Sequence, residues 1–236
     1  MAVISREAGK TFGNALGDVR EAVDLLCYYA VEGRQLLGAP QQLKGVTEET
    51  NIHGLSGRGS LAYISPWNFP PAIFTDQIEG AVAAGNYVVA KPAEQTPLTA
   101  DAAMHLLNEA GMPRDLQQLL LGDGRVGAAL VSDPRVRGVT FTGSNEITWR
   151  IQKSLTEWRG EIIPFIAETG GINAMIVDLS ALPEQVKRDV IVPAFDSAGQ
   201  RCSATRVLFV QDDGSRDRDL VGGRSGSVCI RCLSSD

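Results

Sequence analysis

Histidine and cysteine are scarce in this chain: two of the first and four of the second in 236 residues. His53 falls in a polar loop and His105 in a helical stretch. Neither has a second ligand nearby, so both read as ordinary side chains rather than metal ligands. Cys27, Cys202, Cys229 and Cys232 are too few and too scattered for a disulfide scaffold of this size. Cys229 and Cys232 form a C-x-x-C, but no second pair or paired histidine completes a zinc site. A reduced, cytoplasmic setting is the expectation. Long apolar runs are missing too, with none near the ~18 residues that cross a bilayer, and Met1 to Lys10 lacks the apolar segment of a signal peptide. Excess positive charge is absent: the net charge of −6 argues against nucleic acid or an anionic membrane as partner.

What is present is an ordinary soluble composition, 44% hydrophobic and 21% charged, in a chain long enough for one large domain or two small ones. Met1 to Leu37 reads as helical, with Val19, Ala22, Val23, Leu26 and Ala30 at helical spacing, Thr11 or Asn14 as cap, and Gly38-Ala39-Pro40 as terminator. From Gly59 onward short apolar runs alternate with helical patterns. Strands are expected at 61–64, 87–90, 119–121, 136–141, 165–167, 174–177 and 204–210. Helices are expected at 73–84, 98–109, 126–131, 145–154 and 182–198. This alternation predicts βαβ units and an α/β fold with a mostly parallel, Rossmann-like sheet and flanking helices. The expected division is 1–58 as a helical segment and linker, 59–153 as a nucleotide-binding domain, and 154–211 as a partial catalytic domain. Residues 212–236, rich in Gly, Ser, Arg and Asp, read as a disordered tail.

Several stretches stand at the ends of these strands. Ser65-Pro66-Trp67-Asn68-Phe69-Pro70 offers a stiff turn with a side-chain amide donor. Lys91-Pro92-Ala93-Glu94-Gln95-Thr96-Pro97 places a cation and a carboxylate three apart before a helix. Phe141-Thr142-Gly143-Ser144 enters a helix whose exposed N–H groups and dipole favour phosphate. Glu168-Thr169-Gly170-Gly171 puts a carboxylate beside a flexible turn. Gly122 to Gly127 fits G-x-G-x-x-G, but no acidic partner follows a second strand, and the match is also explained by a tight turn opening a helix. Cys202 lies in Phe195-Asp196-Ser197-Ala198-Gly199-Gln200-Arg201-Cys202-Ser203-Ala204, among small neighbours and beside an arginine. Small neighbours let a substrate carbon approach the sulfur, and a nearby cation raises the thiolate fraction. Read alone, the same decapeptide is better explained by a small buried residue. The co-occurrence of the other stretches shifts that balance.

Together these stretches resemble the aldehyde dehydrogenase superfamily: Pro-Trp-Asn-Phe-Pro, Lys-Pro-Ala-Glu-Gln-Thr-Pro, Phe-Thr-Gly-Ser, Glu-x-Gly-Gly and Gly-Gln-x-Cys stand in family order. The 34 residues from Glu168 to Cys202 suit the family, and the likeness runs from Met1 to about Gln211. Arg6 to Thr11, Val19 to Ala30, Ala167 to Asp178 and Ser197 to Ser203 are similar to the Δ1-pyrroline-5-carboxylate dehydrogenase part of bacterial bifunctional PutA proteins. The resemblance implies Cys202 as nucleophile, Asn68 with the Cys202 backbone N–H as oxyanion donors, and Glu168 as the base that activates water. It implies NAD as cofactor, held by Ser65, Trp67, Lys91, Glu94, Gly143 and Ser144. Phe69 and Ser203 would touch the substrate, glutamate γ-semialdehyde, and Glu21 would face it. The family's later Glu-x-Phe-Gly-Pro stretch and its carboxylate-anchoring loop have no counterpart, nor has the flavin-dependent part of PutA. The expectation is an incomplete second catalytic domain and a chain that is inactive or nearly so, whereas full-length relatives are expected to be oligomeric. Two alternatives stand: a dehydrogenase for another small aldehyde such as succinate semialdehyde, or a non-catalytic gene remnant.

Overall fold

The computed structural model describes residues 1–157, 160–211 and, as backbone, 229–233. It divides into two compact units, Met1–Thr169 and Gly170–Asp236. The expected first helix is two: α1 (Ala2–Ala8) and α2 (Phe12–Leu37), broken where Gly9 adopts φ 65° and Thr11 caps α2 by accepting from Asn14 N–H at 3.2 Å. A hairpin of β1 (Gln41–Leu43) and β2 (Asn51–His53) follows, with Gln41 opposite His53. All six of its residues are exposed, so no alternation of apolar side chains announces it in the sequence.

The centre of the first unit is a five-stranded, wholly parallel sheet in the order β5-β4-β3-β6-β7. Its strands are β3 (Ser60–Ile64), β4 (Tyr87–Lys91), β5 (Gln117–Leu119), β6 (Val136–Gly143) and β7 (Phe165–Thr169). Between them run α3 (Ala72–Ala83), α4 (Pro97–Glu109), α5 (Gly124–Val131) and α6 (Asn145–Glu157). Phe74 and Ile78 of α3 and Ala100, Met104 and Leu107 of α4 pack with Tyr63, Val88 and Ala90 on one face. Leu130 and Val131 of α5 and Ile151 of α6 pack with Ala62, Val139 and Phe141 on the other. Adjacent Ala62 and Tyr63 thus serve opposite cores, as the strand period of two requires. The fold is the expected α/β type with a mostly parallel sheet and flanking helices.

Differences from the sequence expectation have local causes. The strand expected at Leu119-Leu120-Leu121 lies two residues earlier, because buried Gln117, whose side-chain amide nitrogen donates to Asn108 Oδ1 at 3.0 Å, pairs in register with Val88. In the second unit, β8 (Asn173–Val177), α7 (Pro183–Phe195) and β9 (Thr205–Gln211) form a βαβ unit around Val177, Val186, Leu208 and Val210. The helix expected to reach Ala198 stops at Phe195, two residues after Pro193. A 3-10 turn at Asp196–Gly199 follows, with Ser197 and Ala198 in left-handed conformations. The tail expected to be disordered lies outside the described residues except for β10 (Cys229–Leu233), a strand parallel to β9 that also carries the C-x-x-C. Among the described residues no helix is long and apolar enough to cross a membrane.

Candidate active site

In the first unit, four chain segments deliver their chemistry to the carboxyl edge of one sheet. Ile64 pairs with Lys91 on one side and Phe141 on the other, and Thr142 pairs with Glu168, so the ends of β3, β4, β6 and β7 lie nearly level. Strand order reverses at β3, between β4 and β6, which is where ligands bind in open α/β sheets.

Ser65 is buried and donates its backbone N–H to Lys91 O at 3.2 Å, tying the first loop to the second. Trp67 is exposed, whereas Asn68 and Phe69 are half-buried. Two residues outside the loop hold it. Lys10 places its ammonium 3.5 Å above the centre of the Phe69 ring and 2.7 Å from Asp18 Oδ2. Asp18 Oδ1 accepts the Ala72 N–H at the start of α3, at 3.0 Å. Burial pushes the Asp18 carboxyl up from its ordinary value, while Lys10 and the Ala72 N–H pull it back. Glu7 reaches across from α1 to cap α4, accepting from Leu98 N–H at 2.9 Å and from Thr99 N–H at 2.7 Å.

Lys91 is buried, with its Nζ donating to Pro92 O at 2.9 Å and its stem against Gly127 of α5. Burial lowers its pKa against the attraction of Glu94 and Asp123. Glu94 is exposed beside it. Asp123 accepts from Arg125 N–H at 2.9 Å and so caps α5, the role of a tight turn opening a helix. Gly143 ends β6 where a Cβ would meet the Phe141 ring at 2.5 Å, so the turn needs glycine. Ser144 Oγ accepts from Ile147 N–H at 3.3 Å, leaving its own O–H to donate. A cation, a neighbouring carboxylate and a capped helix N-terminus at a topological switch fit a dinucleotide's ribose and phosphates. Among the described residues no cluster of His, Cys, Asp or Glu could hold a metal.

Glu168 is exposed near the end of β7, the edge strand, within the first unit's sheet. Asp76 on α3 feels its charge, and burial first, then Glu168, raises the Asp76 carboxyl against a hydrogen bond from Tyr29. Sequence reasoning missed Asp76, Lys10 and Asp18 as neighbours of these loops. The run Arg6 to Thr11 was a signal, but nothing in it named its partners. Glu21 lies exposed on α2.

In the second unit Cys202 and Ser203 are exposed on the loop that enters β9. Ser197 (φ 51°), Ala198 (φ 55°) and Gly199 (φ 69°) run left-handed just before them. The two non-glycine residues each cost about 1–3 kcal/mol, which the surrounding bonds must offset. Arg206 donates to Gly199 O at 2.7 Å, and Arg201 lies 3.3 Å from Asp196.

The profile of the aldehyde dehydrogenase family matches residues 1–218. The chain belongs to the aldehyde dehydrogenase family. It is 54% identical over 217 residues to the bifunctional protein PutA of Escherichia coli (strain K12), covering 90% of this chain and 16% of that protein. A 1-pyrroline-5-carboxylate dehydrogenase of Bacillus cereus (strain B4264) is 36% identical over 223 residues, covering 90% of this chain and 42% of that one. Among solved structures, a variant of Bradyrhizobium japonicum proline utilization A superposes with a TM-score of 0.89 at 52% identity, covering 93% of this chain and 23% of the other. A 1-pyrroline-5-carboxylate dehydrogenase from Thermus with bound NAD gives 0.84 at 36% identity, covering 89% and 42%. The chain therefore spans about a sixth of the PutA relatives and about two-fifths of the single-function ones.

Proposed function

We propose that this aldehyde dehydrogenase chain serves the NAD-dependent oxidation of L-glutamate γ-semialdehyde to L-glutamate in proline catabolism, in the cytoplasm. One observation carries the reading: the segments bearing Asn68, Lys91, Glu94 and Ser144 all leave one carboxyl edge of a parallel sheet, on both sides of its switch point. The relatives named PutA and 1-pyrroline-5-carboxylate dehydrogenase supply the substrate class.

In this reading the Cys202 thiolate attacks the aldehyde carbon, and the oxyanion takes hydrogen bonds from the Asn68 amide and the Cys202 backbone N–H. NAD, when bound, would supply the acceptor for the hydride leaving that carbon, and Cys202 would then carry the acyl group as a thioester. Glu168 then removes a proton from water, whose oxygen displaces the sulfur and releases the carboxylate product. Lys91 and Glu94 would hold the ribose, and Ser65, Trp67, Gly143 and Ser144 would hold the rest of the cofactor. Phe69 and Ser203 contact the substrate. Small-molecule aldehyde and cofactor are the partners this chemistry needs, and an oligomeric assembly of the full-length relatives is part of the proposal.

The test follows NADH absorbance with pyrroline-5-carboxylate and, separately, with succinate semialdehyde. Turnover of the first and not the second, lost in Cys202→Ala while NAD binding persists, supports the reading. Preference for succinate semialdehyde overturns the substrate class, and Cys202→Ala turnover overturns the mechanism. Asn68→Ala should cost on the order of 10²–10³ in turnover. A second reading, a chain that binds NAD without turnover, is favoured by the bare apolar side chains of Ile172, Ile176 and Ile191 in the second unit. The same assay decides it: calorimetric NAD binding with no NADH formed on either aldehyde supports that reading.

A further inference from the structure

The loop carrying Cys202 is held by a residue that none of the chemistry above uses. Asn173 opens β8 and stands in register with Thr205, the first residue of β9. Immediately beyond, the register slips, so that Ala174 faces Val207 and Arg206 becomes the extra residue of a bulge. The irregularity frees both side chains to serve the loop. Arg206 turns back to the Gly199 carbonyl, upstream of the thiol, at 2.7 Å. Asn173 takes the downstream side.

We propose that Asn173 is a positioning residue for the Cys202 nucleophile: its amide nitrogen donates to the carbonyl oxygens of both Cys202 and Ala204, at 2.6 and 3.0 Å, clamping the backbone around the thiol. Both partners are carbonyls and can only accept, so the nitrogen end of the amide must face them. A single planar group bridging two carbonyls two residues apart fixes the peptide planes that follow Cys202. The bond from Arg206 fixes the left-handed turn that precedes it. Between these two anchors, rotation of the Cys202 backbone, and with it the aim of its N–H, is confined. Attack of sulfur on a carbonyl carbon depends on that aim, because the oxyanion needs the donor already in place. Displacement at a saturated carbon builds no oxyanion and does not depend on it.

This inference rests on Cys202 being the nucleophile, and the experiment separates the two claims. Acylation of Cys202 by p-nitrophenyl acetate forms the S–C bond, expels p-nitrophenolate and releases the thiol proton to solvent, without cofactor. Alkylation by iodoacetamide serves as the reaction that lacks an oxyanion. Peptide mass spectrometry resolves Cys202 from exposed Cys27 in both. In the full chain, Asn173→Ala and the isosteric, donor-free Asn173→Asp should acylate Cys202 about tenfold more slowly, with alkylation changed by less than about twofold. Asn173→His, whose Nδ1–H lies at the same distance from Cβ, should recover part of the loss. Unchanged acylation in folded Asn173→Ala or Asn173→Asp overturns the positioning role. Acylation and alkylation falling together, with a lowered thermal midpoint and no recovery in Asn173→His, overturns it in favour of simple scaffolding. A wild-type chain that alkylates but never acylates Cys202 instead overturns the nucleophile assignment itself.

Discussion

The two units of this chain are built from the same βαβ grammar but hold their chemistry differently. The first has a five-stranded sheet with a core on each face, and it presents its polar groups at the carboxyl edge. The second has three described strands and one small core, and it carries Cys202 on the loop at the amino end of β9. In the first, charged groups near the loops are buried and paired, as with Lys10 and Asp18. In the second, Ile172, Ile176, Leu182 and Ile191 are more than half exposed. The lesson is that a closed double-layered core can hold a loop through buried polar contacts. A single small core must rely on side-chain to backbone bonds at the loop itself.

That contrast can be broken most directly in the cores. Phe74→Ala, at a side chain 1% exposed between α3 and the sheet, should lower the unfolding free energy by about 3–5 kcal/mol in denaturant titration. A loss below about 1 kcal/mol would mean that the first unit is no better packed than the second. Lys10→Met should follow closely, because it strands the buried Asp18 carboxylate and frees Phe69; about 3 kcal/mol is expected. If the pair serves the Asn68 loop as well, turnover should fall even at temperatures where the variant stays folded.

Glu79 sharpens the comparison through pH. It is buried on α3, and both its carboxylate oxygens lack a hydrogen-bond partner among the described residues. Burial, then the charge of Asp76, lifts its pKa from 4.5 to about 8. The folded state therefore binds this proton more tightly than the unfolded state, so stability falls as pH rises from about 5 to 8 and levels off above. Glu79→Gln should remove that slope, gaining on the order of 2 kcal/mol at pH 8 and little at pH 4.5. A slope that survives the substitution would place the titrating group elsewhere. The smallest effect belongs to the second unit: Ile176→Thr, on an exposed face of β8, should change stability by no more than about 0.5 kcal/mol. A large loss there would show that this face is covered in solution.

Much of the fold was legible because it is written in short periods. The helix at 145–154, the strand at 136–141 and the strand-end stretches were readable from alternation and from glycine and proline punctuation. Their placement on one edge follows from every strand of the five-stranded sheet being parallel. The β1–β2 hairpin was not legible, since exposed strands carry no hydrophobic pattern. The turn at 196–199 was hidden because Pro193 and three left-handed residues interrupt an otherwise helical run of apolar positions.

The sequence by itself determined the alternation of strand and helix, the family resemblance, and which residue types arrive at the carboxyl edge. These depend on neighbours within a few positions, where backbone geometry alone sets the spacing. Only the tertiary structure decided that Glu7 caps a helix more than ninety residues away, that Lys10 stacks on Phe69, and that Asn173 grips the Cys202 loop. Such pairs join distant segments. Their partners are chosen by how layers pack and where the register slips, and no local period in the chain records that choice.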